Sequence, residues 1–418
     1  MKLFFLPAAA IALAACSQQV SPTNEMESDS LDVEALHHRL LVMDSHLDTP
    51  ANFSNPDYDV LADNPTRMGQ VQVDLPKMQR GGLDGGFWVI YTPQGPLDET
   101  SYEAARMAAL KRSDDILGMV SDHSDEFELA TSADDAERIV KSGKKVVYQS
   151  IENSYPLGTD LGMVEEFYNR GVRLIGPVHF MDNQFADSAT DLSGSDLGGL
   201  TPLGEELVRE ANRLGMMIDA SHAADSALEA IMEISSTPVV LSHTGVSSLY
   251  DHPRNISDEL LKKVAEDGGV IQINALGAYI EDLEPPAERV AALEALATEF
   301  GGVSPSEMGP AERDLYMARR REISDTYPMP LSSFEVFMEQ MLHALDLVGP
   351  DHVGMGADWD GGGGVAGMED VSDLPKVTKR LLDEGYTEED LEKIWGGNLL
   401  RIMRQAEAEK QNQANSGD

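Results

Sequence analysis

Basic residues are scarce: 31 Lys and Arg stand against 73 Asp and Glu in 418 residues, a formal net charge of −42. Phosphate backbones are bound by clustered Lys and Arg, so this balance excludes general nucleic-acid affinity. Cysteine is scarcer still. The sequence has one, Cys16, and no thiolate remains for the body of the chain, so a metal there has to be held by nitrogen and oxygen donors. The apolar run that follows Met1-Lys2 ends at Ala15, too short to cross a bilayer as a mature helix. The glycine run Gly361 to Gly364 lacks the Lys-Ser/Thr ending of a phosphate cradle, which argues against a nucleotide site of that kind.

What the N-terminus does contain is Leu13-Ala14-Ala15-Cys16. This resembles the lipobox of bacterial lipoproteins, and the resemblance implies cleavage before Cys16 and acylation of its thiol, holding the protein at a membrane surface without spanning it. Ser17 in place of Asp implies, by the same likeness, an outer-membrane, periplasm-facing location. The Ser-, Gln-, Asn-, Pro- and Glu-containing stretch that follows reads as a flexible tether. The expected organisation is a signal peptide over 1–15, an acylated Cys and tether over 16–30, a catalytic barrel over 31–404 and a polar tail over 405–418.

Beyond the tether, apolar runs of strand length recur between amphipathic, charge-rich segments. They are Leu41–Asp48, Gly86–Tyr91, Lys145–Ile151, Val172–Val178, Met216–Ser221, Pro238–Ser242, Gly269–Asn274 and His352–Ala357. Continuous rather than alternating hydrophobicity marks strands covered on both faces, as in a parallel sheet. Eight such β-α repeats predict an α/β protein, a (β/α)8 TIM-type barrel of the metal-dependent hydrolase kind, with a long helical insertion between the seventh and eighth strands. In that fold the chemistry sits at the C-terminal ends of the strands.

The histidines fit this expectation. His46, His179, His222 and His243 end the first, fourth, fifth and sixth strands, whereas His37, His38, His123, His252, His343 and His352 fall elsewhere and read as structural or solvent-facing. Asp48, Glu152 and Asp358 end the first, third and eighth strands. His46 and Asp48, two apart on an extended segment, present both side chains to one side. Two metals suit this inventory: His46 with Asp48 for one, His222 with His243 for the other, and Glu152 bridging. Lys144 and Lys145 begin the third strand, so no carbamylated lysine can bridge. Bridged divalent ions share a hydroxide that is a nucleophile at neutral pH. Asp358 can take its proton and pass it to a leaving amine. Asp360, the rival for that task, reads better as a residue that orients the glycine loop.

Several segments then carry a family resemblance. Asp44-Ser45-His46-Leu47-Asp48-Thr49-Pro50, Ile151-Glu152-Asn153, Gly215 to His222, Leu241-Ser242-His243, Arg254-Asn255 and Asp351 to Gly361 together resemble the membrane dipeptidase (renal dipeptidase) family of zinc peptidases, from about Leu40 to Met403. The resemblance implies two Zn2+ ions, with Mn2+ or Co2+ as alternatives, held by His46, Asp48, Glu152, His222 and His243. It implies hydrolysis of dipeptides, including those with a C-terminal D-residue, and a homodimer. It places His179 against the substrate carbonyl oxygen and sets Arg254 and Tyr279 on the free carboxylate. Leu47 and Asn153-Ser154-Tyr155-Pro156 depart from the family pattern beside the site, which bears on substrate choice more than on metal binding. The rival readings are a hydrolase of another amide, such as an N-acyl amino acid or a lactam, and a non-catalytic binding lipoprotein.

Overall fold

The computed structural model describes residues 32–67, 69–193, 197–303 and 308–416. The expected signal peptide, Cys16 and the tether lie outside them. Each of the eight predicted strands forms: β1 (Met43–Leu47), β2 (Gly85–Ile90), β3 (Lys145–Ile151), β4 (Val172–Ile175), β5 (Met217–Ile218), β6 (Val240–Val246), β7 (Val270–Ile273) and β8 (Val353–Met355). Every residue in them is buried except Lys145, which is partly so. Burial on both faces is why each run is apolar throughout.

All pairings are parallel. One sheet runs β1-β2-β3-β4-β5 and the other β8-β7-β6. Two single bridges join them, Asp219 to Val240 between β5 and β6, and Leu47 to Trp359 between β1 and the end of β8. The eight staves therefore close into an α/β barrel, as the repeats predict.

Inside, one apolar cluster takes Met43, Phe87, Val146, Tyr148, Leu174, Met217, Val240 and Val270, drawn from seven staves. Phe87 and Tyr148 stack at 4.9 Å and 14°. Leu399, Leu400, Ile402 and Met403 of the C-terminal helix Asn398–Ser416 belong to the same cluster. The remaining core lies between staves and surrounding helices.

Three features lie outside the eight repeats. Short parallel strands at Phe127–Leu129 and Asn255–Ile256 extend the sheets, too brief to show a hydrophobic period. The polar segment after Arg404, expected to be a fraying helix and tail, is helix through Ser416. Ala406 is buried there, Glu407 accepts from the Ala133 amide at 2.8 Å, and Lys410 bonds the Tyr168 hydroxyl at 2.8 Å. The insertion between β7 and β8 is helical as expected. It comprises Gly277–Ile280, Ala287–Glu299 and Pro310–Thr326, ahead of the helix Phe334–Val348 that packs on the barrel. No helix among the described residues is long and apolar enough to cross a membrane.

His37 is structural, as its position predicts. Its Nε2 bonds the Gly81 carbonyl at 2.8 Å and so carries the proton; its Nδ1 accepts from Thr378 Oγ1 at 2.6 Å, and that hydroxyl accepts from Trp395 Nε1 at 2.8 Å. Burial, opposed by the Gly81 carbonyl, lowers the imidazole to about 4. The unfolded chain takes up this proton near 6.5 and the folded chain does not, so stability falls as pH drops from 6.5 toward 4, by up to about 3 kcal/mol. Urea titrations of His37→Gln are predicted to show a lower midpoint at pH 7.5 and a shallower loss between pH 6.5 and 4 than the parent. Parallel losses in the two proteins contradict this assignment.

Candidate metal centre

The predicted site residues sit near the ends of staves, except His243, which lies in the middle of its strand. His46 is near the end of β1 and Asp48 just beyond it; Glu152 follows β3, His179 lies in the loop after β4, His222 follows β5, and His243 lies within β6. Closure of the barrel brings them together. Glu152 Oε1 is the meeting point, 3.0 Å from His222 Nε2, 3.4 Å from His179 Nε2, and 3.5 Å from both His46 and His243 Nε2. His46 Nε2 is also 3.5 Å from Asp48 Oδ2, and His222 and His243 face each other through Nε2 atoms 3.0 Å apart. Three sets of donors satisfy the spacing of a cation site: His46, Glu152 and His243; Glu152, His179 and His222; and His46, Asp48 and Asp358.

The electrostatics suit a cation. Burial pushes the Glu152 carboxyl well up, because its charge has no water around it. Burial also drives His222 and His243 well below the usual imidazole value, so both are neutral and hold a lone pair. His46 goes the other way. Burial would lower it, but Glu152, Asp48 and Asp358 outweigh that and hold it up at about 10. Its Nε2 is nevertheless buried without a hydrogen bond, at a point where three carboxylates call for positive charge. An orphaned imidazole nitrogen beside unneutralised acids fits divalent cations of the zinc kind, which take nitrogen and oxygen donors.

Residues behind the ligands, not singled out from sequence, fix their orientation. Asp219 Oδ1 accepts from the Ser221 amide (3.0 Å), the Ser221 hydroxyl (2.6 Å) and the Ser242 amide (3.1 Å), and its Oδ2 accepts from the Ser242 hydroxyl (2.5 Å). Having donated its proton there, Ser242 Oγ accepts from His243 Nδ1 at 2.9 Å. The His243 proton is thereby placed on Nδ1, and Nε2 presents its lone pair to the centre. Asp44 accepts from the His46 amide at 2.8 Å and the Ala357 amide at 3.1 Å, tying β1 to the end of β8.

After β8 the chain turns sharply. Asp358 and Asp360 both adopt positive φ, 63° and 68°, a strained conformation that Asp tolerates better than most residues. Asp360 is an anchor: it accepts from Thr49 Oγ1 and the Gln72 amide, each at 2.7 Å. Asp358 faces His46 and Asp48. Burial lifts its carboxyl to about 7, with His46 and Arg254 opposing and Asp48 reinforcing. Gly361 cannot carry a side chain, since a Cβ there would lie 2.1 Å from Asp48 Oδ2 and 2.2 Å from Asp358 Oδ1.

Asp48, Glu152, His179, His222, His243 and Asp358 line a cavity of about 290 Å³ that also includes Tyr91, Arg112, Phe180, Leu276 and Tyr279. Arg254 is buried behind it. Its Nη2 donates to the His243 carbonyl at 2.9 Å and its Nη1 to the Ser221 carbonyl, while Nε has no partner and the guanidinium lies 5.5 Å from the Tyr279 ring.

With this geometry in hand, comparison with known proteins is decisive. The model of the membrane dipeptidase family, peptidase family M19, matches residues 31–417. The chain belongs to that family. It is a metallo-dipeptidase of the membrane dipeptidase type. Dipeptidase tcpJ of Claviceps purpurea (strain 20.1) is 29% identical over 358 residues, spanning 84% of this chain and 73% of that protein. Among solved structures, the probable dipeptidase PvdM from Pseudomonas aeruginosa superposes with a TM-score of 0.77 at 31% identity, covering 90% of this chain and 98% of its own. A metallopeptidase from Rhodobacter sphaeroides, liganded with a phosphinate mimic of the dipeptide L-Ala-D-Ala, shares the fold with a TM-score of 0.68 at 24% identity, over 88% and 99% of the two chains.

As a membrane dipeptidase this chain needs its imidazoles held in the ligating tautomer. Ser242→Ala is predicted to weaken metal retention by roughly 10- to 100-fold in chelator competition, with little change in melting temperature of the metal-free protein. Unchanged metal retention removes the orienting role of Ser242.

Proposed function

We propose that this metallo-dipeptidase is a binuclear zinc enzyme that hydrolyses the single peptide bond of dipeptides, C-terminal D-residues included. The observation that carries the reading is the gathering of His46, Asp48, Glu152, His222 and His243, with Asp358, around one small cavity. His46 and Asp48 would hold one ion, His222 and His243 the other, and Glu152 both. Bound there, such ions supply Lewis acidity and a water that gives up its proton near neutral pH.

The protein's own groups complete the chemistry. Asp358, lifted to about 7, is poised to accept a proton from the attacking water and to deliver it to the departing amine. His179 is pushed down to about 3 by burial, with the Arg254 and His46 charges reinforcing, so its neutral imidazole can donate an N–H to the substrate carbonyl oxygen as negative charge develops. Arg254, with an N–H unpartnered beside Tyr279, supplies the positive charge for the free carboxylate of the substrate. A cavity of about 290 Å³ is at the small end for ligand sites, consistent with short substrates rather than long peptides. The phosphinate dipeptide mimic bound by the Rhodobacter sphaeroides relative supports the same substrate class.

The decisive experiment is turnover of a dipeptide panel before and after chelation, with two variants alongside. Asp358→Asn is predicted to retain metal and lose at least about 100-fold in kcat, the usual worth of a general acid–base group. Arg254→Ala is predicted to raise KM sharply for dipeptides and much less for their C-terminal amides. Turnover that survives chelation, or that favours acylated amino acids over dipeptides, overturns the reading. Equal effects of Arg254→Ala on free and amidated substrates remove its carboxylate role.

The Leu13-Ala14-Ala15-Cys16 run supports attachment to the periplasmic face of the outer membrane through acylated Cys16. Intact-mass analysis of detergent-extracted protein should give a mature N-terminus at Cys16 carrying acyl chains, whereas an unmodified thiol there contradicts attachment. Assembly as a homodimer is part of the same proposal, and sedimentation of the soluble form that returns the monomer mass rules it out.

A further inference from the structure

A second cavity, of about 550 Å³, adjoins the metal centre. The two share Leu276 as a wall, and the glycine loop is split between them, with Gly361 facing the first and Gly362 the second. The partition is thin. A Cβ added to Gly362 would lie 3.0 Å from Leu276 Cδ1, so bare backbone packed against one leucine separates the two spaces. The far side is built by the insertion, through Leu283, Arg289 and the segment Pro328 to Ser332.

Arg289 gives this cavity a chemical character. Its guanidinium donates to the Tyr327 carbonyl at 2.8 Å and the Ser324 hydroxyl at 3.3 Å, both neutral, and among the described residues no carboxylate pairs with it. In a chain with 73 acidic residues and 31 basic ones, a partly buried cation held only by neutral oxygens is notable. The acid on the same wall, Asp325, lies 3.7 Å from Arg67 instead. Leu283, Met329 and Leu331 give the cavity an apolar part, and Arg67, Gln70 and Ser332 also line it.

We propose that this second cavity is a side-chain site that selects dipeptides whose C-terminal residue carries a long aliphatic side chain ending in a carboxylate. The proposal rests on the dipeptidase reading and deepens it. Leu276 and Tyr279 belong to one turn, so a C-terminal residue whose main-chain carboxylate is held near Tyr279 and Arg254 has its side chain beside Leu276. For the methylene chain to cross, the Leu276 side chain turns away from Gly362, and the terminal anion then meets Arg289 in a charge-assisted hydrogen bond. The insertion thereby gains a role in substrate choice, distant from the metal ligands.

The test compares kcat/KM for Ala-α-aminoadipate and Ala-α-aminopimelate with Ala-norleucine, a neutral match in length, and with Ala-Ala. The parent enzyme should prefer the longer diacids by about tenfold or more, the worth of one charge-assisted hydrogen bond. Arg289→Gln should abolish that preference and leave Ala-Ala within about twofold, while Arg289→Lys should keep part of it. Leu331→Trp, at an exposed residue that lines this cavity and not the first, should penalise the long substrates without affecting Ala-Ala. A parent enzyme that hydrolyses diacid and norleucine substrates equally, or an Arg289→Gln variant that keeps the parent preference, overturns the proposal. If the parent cleaves no dipeptide at all, Ala-Ala included, it is the dipeptidase reading that fails, and this site falls with it.

Discussion

A carboxylate taken out of water has to be offset by positive charge, and in this protein that demand is concentrated on Glu152, buried among four imidazoles. The side chains that meet it come from strands far apart in sequence, so the centre exists only if the barrel closes. Both closing bridges fall beside the centre. Leu47, which bridges to Trp359, lies between His46 and Asp48, and Trp359 follows Asp358; the Asp48 amide donates to the Trp359 carbonyl at 2.8 Å. The other bridge is made by Asp219, the residue that aligns Ser242 and through it His243. Closing the fold and assembling the metal centre are therefore one event. A cation bound by the closed barrel and not by the open chain adds its binding energy to the stability of the fold.

Rigidity is distributed to match. The candidate ligands stand on or just beyond strands and are backed by Asp44 and Asp219, each held by at least two hydrogen bonds. Asp358, the group proposed to transfer the proton, is placed differently. Asp358 sits in a left-handed turn that Asp360 pins to Thr49 and Gln72, and the adjoining Gly361 admits no side chain because two carboxylates already fill its space. The strained turn holds Asp358 facing His46 and Asp48. The insertion is looser in its packing: the helix Ala287–Glu299 buries Leu296 alone among its residues, yet it carries Arg289 to the wall of the second cavity.

How much of this was legible follows from what each residue must do locally. The staves could be read because burial on both faces makes them apolar throughout, and the ligands because imidazoles and acids recur at their C-terminal ends. The structure gathers those residues at one centre, while the roles assigned to His179, Arg254 and Tyr279 remain proposals for experiment. Asp44, Asp219 and Ser242 escaped notice because a lone Asp or Ser in an apolar run looks like an isolated core polar group; Asp44 and His46 do share a period of two, a signal available in hindsight. Arg112 reaches the cavity from the long helix Glu99–Asp122, whose sequence gives no sign of which arginine turns inward. Ala406 to Lys410 read as a polar tail because their contacts, with residues near 133 and 168, are made only once the barrel has formed. The second cavity was beyond reach for the same reason, since it lies between an insertion and two loops distant in sequence.

The central claim is that two cations share Glu152. Anomalous diffraction at the zinc edge from crystals of the metal-loaded enzyme tests it directly. The account predicts two peaks beside the Glu152 carboxylate, one near His46 and Asp48 and the other near His222 and His243, and loss of both in Glu152→Gln. A single peak, or two that persist unchanged in the variant, would contradict it.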